Sequence, residues 1–255
     1  MTGPRVALLH GLAGTPAVWR ACRAVAPKGA LLVPVDLSWP MNGTARPDGA
    51  GDPAELVARA VRATRAQVVV AHSFAATALL EYLAREAERP ASEAAGPPLL
   101  GAVCVSPFYR TAKRDFDWST IAYYLNRFHL ILEEGLAMSS GGRLSADARA
   151  SMALRVRERI GPYGWMDFFG AYLRTPSLPL HRVRTPVLAI AGAGDRAARP
   201  SDAAALVRAL PAGRLEVLPG CGHFPMAEHP FRFAELLADF LRSLPAAPVA
   251  SLEMT

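Results

Sequence analysis

The stretch Gln67-Val68-Val69-Val70-Ala71-His72-Ser73-Phe74-Ala75-Ala76 constrains this chain more than any other. A run of β-favouring apolar residues enters a serine that has an alanine two places to either side. A helical pattern then starts at once in Thr77-Ala78-Leu79-Leu80-Glu81-Tyr82-Leu83. The spacing predicts a strand, a sharp turn and a helix. A serine at such a turn projects its hydroxyl above the carboxyl end of a sheet, and the first N–H groups of the helix converge beside it. Small flanking residues suit the close approach of strand and helix backbones, and alanine is the smallest departure from glycine. A plain strand followed by a serine-capped helix has the same local pattern, so the rest of the chain must decide.

Around this stretch, short apolar runs alternate with helical patterns. Arg5 to His10, Leu31 to Asp36, Leu99 to Val105, Thr185 to Ala191 and Arg214 to Leu218 read as five further strands. Pro34 is awkward in a central ladder and predicts that its strand lies near an edge. Ala17 to Val25, Ser201 to Leu210 and Phe231 to Leu241 read as helices, and Asp52-Pro53-Ala54-Glu55 has the cap, first-turn proline and acid of another helix start. Six strands interleaved with helices predict an α/β fold with a mostly parallel sheet covered on both faces. Right-handed crossovers then gather the strand exits at one end.

Between the fourth and fifth strands the alternation stops. Residues 107–182 read as helices, about Ser119 to Glu134, Ala146 to Ile160 and Trp165 to Leu173, with Gly/Ser-rich breaks between them. This segment holds 12 of the 20 aromatic residues, which predicts a helical lid with an apolar underside. The expected organisation is a core of residues 1–106 and 183–244, a lid of 107–182 and a flexible tail of 245–255.

The strand exits carry Gly11-Leu12, Ser73, Asp195 and His223. A serine hydroxyl is too weakly acidic to attack a carbonyl unaided. It needs a neutral imidazole in reach and a carboxylate to fix the imidazole tautomer. Through His10-Gly11, Ala71-His72-Ser73-Phe74-Ala75, Gly192-Ala193-Gly194-Asp195 and Gly222-His223-Phe224-Pro225, nearly the whole chain resembles the α/β-hydrolase superfamily with a helical lid. Its direct start at the strand ending in His10-Gly11 is similar to the compact plant-type methyl esterases and hydroxynitrile lyases. The lyases carry a lysine after the histidine, where this chain has Phe224; dehalogenases and epoxide hydrolases carry an aspartate where it has Ser73.

The resemblance implies a nucleophile at Ser73, an acid at Asp195 and a general base at His223. It implies an oxyanion hole from the backbone N–H groups of Leu12 and Phe74. Substrate-binding positions are expected at Phe108, Trp118, Tyr123, Tyr124, Trp165, Phe169 and Phe224. His10 reads as a loop-fixing residue behind the oxyanion hole, and His72 as a packing residue pointing away from Ser73. The implied activity is a cofactor-independent serine esterase or thioesterase acting on an apolar substrate, in a biosynthetic pathway. Acyl transfer or lactonisation on the same triad, and slow-turnover ligand binding, are the alternatives.

Composition narrows the partners. Lys plus Arg number 28 against 22 Asp plus Glu, a net charge of +6, but the arginines are dispersed from Arg5 to Arg242. Dispersion argues against nucleic-acid binding, while the positive balance is compatible with an acidic acyl carrier. Cys22, Cys104 and Cys221 form no paired motif, and no cluster has metal-ligand spacing, so neither a disulfide framework nor a metal is expected. No apolar run approaches a membrane span, and a cytoplasmic location is the expectation.

Overall fold

The computed structural model describes residues 3–39, 52–93, 96–141 and 143–245. Six parallel strands, β1 (Arg5–Leu9), β2 (Leu31–Val35), β3 (Val68–His72), β4 (Gly101–Val105), β5 (Val187–Gly192) and β6 (Gly213–Leu218), form one sheet in the order β2-β1-β3-β4-β5-β6. The central strands β3, β4 and β5 are buried at every position, as their unbroken apolar runs require of strands covered on both faces. β2, the strand with Pro34, is at an edge. The tail expected over residues 245–255 lies almost wholly outside the described residues, as does most of the loop between β2 and the next helix.

The helices are α1 (Arg20–Ala24), α2 (Pro53–Thr64), α3 (Phe74–Glu88), α4 (Trp118–Ser140), α5 (Ala146–Arg174), α6 (Pro200–Ala209), α7 (Pro225–Glu228) and α8 (Pro230–Ser243). Asp52 caps α2 by accepting from the Ala54 N–H at 3.0 Å, with Pro53 in the first turn. Strand alternation sorts the core into two layers. Ala7, Leu9, Val69, Ala71, Ala102 and Cys104 face α2, α3 and the helical insertion, whereas Val6, Leu8, Val68, Val70, Val103 and Val105 face Trp19 and α8. Each fully buried Leu or Val of this kind contributes roughly 1.5–3 kcal/mol.

The insertion between β4 and β5 is two long helices. α4 runs six residues beyond the expected Glu134. The two helices expected after Ser145 follow each other almost without interruption, because the break is confined to Gly161 (φ 64°, ψ 178°) and Pro162. Proline has no N–H to continue the ladder and glycine supplies the positive φ, so together they kink α5 without ending it.

Candidate active site

Ser73 joins β3 to α3 with φ 58° and ψ −124°, a conformation that L-residues adopt at a cost of order 1–3 kcal/mol. Its N–H is held by the Val105 carbonyl at 2.8 Å. Ala71 and Ala75 are both fully buried. The opposite wall of the turn is Gly11, where a Cβ would come within 2.9 Å of Ser73 Cβ and 3.3 Å of its Oγ.

Three strand exits converge here. Ser73 Oγ lies 3.0 Å from His223 Nε2, and His223 Nδ1 lies 2.7 Å from Asp195 Oδ2. Asp195 Oδ1 is occupied by the N–H groups of Ala197 (2.9 Å) and Ala198 (3.0 Å), so only Oδ2 is left for the imidazole. With Nδ1–H donating to the carboxylate, the Nε2 lone pair faces the serine hydroxyl, which donates to it. All three side chains are buried. Burial alone would raise the Asp195 pKa, but His223 and the two N–H groups outweigh it and hold the carboxyl below its ordinary value. Burial would lower the His223 pKa, yet Asp195 outweighs it and the imidazole is raised.

The turn after β1 orients the Leu12 N–H. The Gly11 carbonyl accepts from His10 Nδ1–H and from the Gly14 N–H, both at 3.0 Å. A peptide is planar and trans, so fixing that carbonyl fixes the Leu12 N–H in the opposite direction. The Leu37 N–H in turn donates to His10 Nε2 at 2.9 Å, which selects the His10 tautomer. Phe74 is the first residue of α3. Among the described residues neither the Leu12 nor the Phe74 N–H meets a protein acceptor, which leaves both as donors for a ligand.

The loop that bears His223 is anchored from several sides. Glu228, at the end of α7, accepts the N–H groups of Gly222 (2.7 Å) and Phe224 (2.8 Å). Glu134 of α4 faces the same loop so closely that a Cβ on Gly222 would overlap its carboxylate; burial and the nearby Glu228 raise its pKa. A Cβ on Gly192 would overlap the Gly222 carbonyl, so the loops bearing Asp195 and His223 pack backbone to backbone.

His72 differs from the sequence expectation. Rather than only packing, its Nε2–H donates to the His223 carbonyl at 2.9 Å, and its ring lies 5.0 Å from those of His223 and Phe224. Burial, the largest effect, drives its pKa down to about 3, with His223 adding to the depression, so this imidazole is neutral. The sequence signal for it was only adjacency to Ser73.

A cavity of about 600 Å³ opens at Ser73, between the Leu12–Ala24 segment and α4. One wall is Leu12, Val18, Ala21 and Ala24; the other is Phe128, Ile131, Leu132 and Leu136, with Val156 and Phe224 beside them. Gly135 makes room for Phe224, since a Cβ there would sit 3.0 Å from its Cζ. Of the seven expected substrate-binding residues only Phe224 lines this cavity. Trp118, at the first position of α4, is 83% exposed. Phe108 is fully buried against Tyr124, Phe168 and Tyr172. Trp165 packs on Phe128 and Phe169, so Trp165 and Phe169 join an aromatic cluster, and Tyr123 and Tyr124 donate to the carbonyls of Arg196 and Ala197. Aromatic rings gain most from edge-on contact with one another, so they knit the insertion to the core, and small aliphatic residues surround the open space.

Among the described residues no group of three or more His, Cys, Asp or Glu is placed to hold a metal ion, and no helix is long and apolar enough to cross a membrane.

A family profile described as the alpha/beta hydrolase family matches residues 6–236. No curated protein matches the sequence. Among solved structures, an esterase from Rhodococcus sp. ECU1013 superposes with a TM-score of 0.66 at 20% identity, over 95% of this chain and 92% of that one. A bromoperoxidase from Bacillus anthracis gives 0.68 at 18% identity over 94% and 92%. A thermophilic esterase from Thermogutta terrifontis gives 0.58 at 19% identity over 94% and 90%. At these identities the likeness is one of fold.

Proposed function

The chain belongs to the alpha/beta hydrolase family, and on that footing we propose that it is a serine hydrolase cleaving a carboxylic ester or thioester with an apolar moiety. The observation that carries this reading is the buried chain of hydrogen bonds from Ser73 through His223 to Asp195, at the end of an apolar cavity. The names of two structural relatives, both esterases, agree with it.

In this mechanism Ser73 Oγ attacks the substrate carbonyl carbon while His223 Nε2 takes its proton. Asp195 stabilises the resulting imidazolium and stays ionised. The Leu12 and Phe74 N–H groups receive the negative oxygen of the tetrahedral intermediate, each worth on the order of 3 kcal/mol to the transition state. His223 then delivers its proton to the departing alcohol or thiol. The acyl-Ser73 ester is cleaved by water in the same sequence, with His223 again as base.

The test is intact mass after exposure to a fluorophosphonate, followed by turnover of p-nitrophenyl esters and acyl thioesters. Wild type should gain one adduct at Ser73, and Ser73→Ala and His223→Ala none. A folded wild type that stays unlabelled and turns over no ester overturns the reading.

A further inference from the structure

The loop after β5 sets where Asp195 points. Asp195 Oδ1 is tied to the N–H groups of Ala197 and Ala198, so the direction of Oδ2 follows the path of the main chain through residues 196–198. That path is irregular, and two carbonyls on it, those of Arg196 and Ala197, receive no backbone N–H among the described residues. Each instead accepts a phenolic hydroxyl from α4. Tyr123 donates to Arg196 and Tyr124 to Ala197, both at 3.0 Å.

Successive residues of a helix diverge by about 100° and do not face each other. For neighbouring side chains to reach neighbouring carbonyls, the loop must run through the angle between them; the two rings stand edge-on, 5.5 Å apart. Tyr124 is 3% exposed, and its hydroxyl lies 3.3 Å from that of Tyr172 on α5. A hydroxyl has one proton, so with Tyr124 donating to Ala197, Tyr172 donates to Tyr124. Arg110 and Asp202 complete the charged surroundings of this pair.

We propose that Tyr124, assisted by Tyr123, is a positioning residue for Asp195: the helical insertion holds the acid's loop from outside, and the alignment of Asp195 with His223 depends on α4 being docked. The inference rests on the serine-hydrolase reading and extends it, because it makes the insertion part of the triad's support as well as a wall of the cavity.

The test is Tyr124→Phe, Tyr123→Phe and the double variant, each of which keeps the ring and removes a hydroxyl. On p-nitrophenyl butyrate, Tyr124→Phe should lower kcat by about tenfold while KM moves by no more than about twofold, since orientation and not substrate contact is lost. The acid limb of kcat/KM should shift to lower pH, because a misaligned Asp195 no longer raises the proton affinity of His223. The downfield proton resonance of His223 Nδ1–H should move or broaden. A lower Tm with unchanged kcat, acid limb and resonance would mean that the tyrosines only fasten the insertion to the core, and would overturn the proposal. If Tyr124→Phe does not fold, the same three readouts on the less buried Tyr123→Phe decide. A wild type labelled at Ser73 with unaltered variants removes this proposal alone; a folded wild type that is unlabelled and turns over no ester removes the hydrolase reading with it.

Discussion

The Nε2–H of His72 donates to the main-chain carbonyl of His223, so the residue before Ser73 holds the loop that carries its hydrogen-bond partner. His72→Leu leaves that buried carbonyl without a donor. The expected cost is about 1–3 kcal/mol, read as a lower midpoint in urea at unchanged slope.

Acidification should act through the same residue. His72 titrates near 6.5 when unfolded but is held down to about 3 by burial in the fold. Between those values the unfolded chain binds the proton and the native one does not, so its contribution is present above about pH 6.5 and declines as pH falls towards 3. His72→Gln keeps a donor and cannot titrate. Its stability loss between pH 6.5 and 4 should be smaller than that of wild type, and an identical slope in denaturant titrations would refute the assignment.

His223 has the opposite sign. Its pKa is raised, and it must be neutral to accept the Ser73 proton, so kcat/KM should climb with pH through a value above 6.5. Asp195→Asn removes the partner and favours the wrong tautomer. A fall in kcat on the order of 10⁴-fold is expected, seen in steady-state kinetics at the pH optimum.

Gly11→Ala tests how tightly the turn after β1 abuts the serine. The added methyl would meet Ser73 Cβ at 2.9 Å, and displacement of either backbone misaligns the hydroxyl and the Leu12 N–H together. Activity should fall by roughly 10²-fold while the thermal transition stays cooperative.

The cavity makes a prediction about chain length. Each methylene buried along its apolar walls is worth about 0.8 kcal/mol, so kcat/KM should rise by about fourfold per added carbon until the space is filled. Ala21→Phe narrows one wall and should lower the ratio of decanoyl to acetyl ester turnover by more than about tenfold. A ratio that does not change would place the apolar arm elsewhere.

Much of this architecture is legible in the residues themselves. Apolar runs of about five residues alternating with helical patterns point to a parallel sheet between helices, and Pro34 points its strand towards the edge, where it lies. Ser73, Asp195 and His223 follow β3, β5 and β6, and parallel strands bring those three exits to the same end of the sheet. The lining of the cavity does not. Periodicity separates an inner from an outer helix face, but it does not say whether the inner face meets empty space or another ring. Phe108 and Trp165 meet rings, whereas Ala21, Ala24 and Gly135 border the opening, and small residues leave no signal in composition. Glu134 leaves no signal and Tyr124 reads as a pocket residue, because what they reach are main-chain groups more than 70 residues away.

The edge position of β2 has a consequence for how copies of this chain meet. The Leu31 N–H turns inward to the Pro4 carbonyl, and alternate residues of a strand point the same way, so the nitrogens of Leu32 and Pro34 face outward. Proline has no hydrogen to offer there, which leaves Leu32 as the one outward donor within this strand. A foreign strand laid along this side would find the ladder interrupted after a single rung.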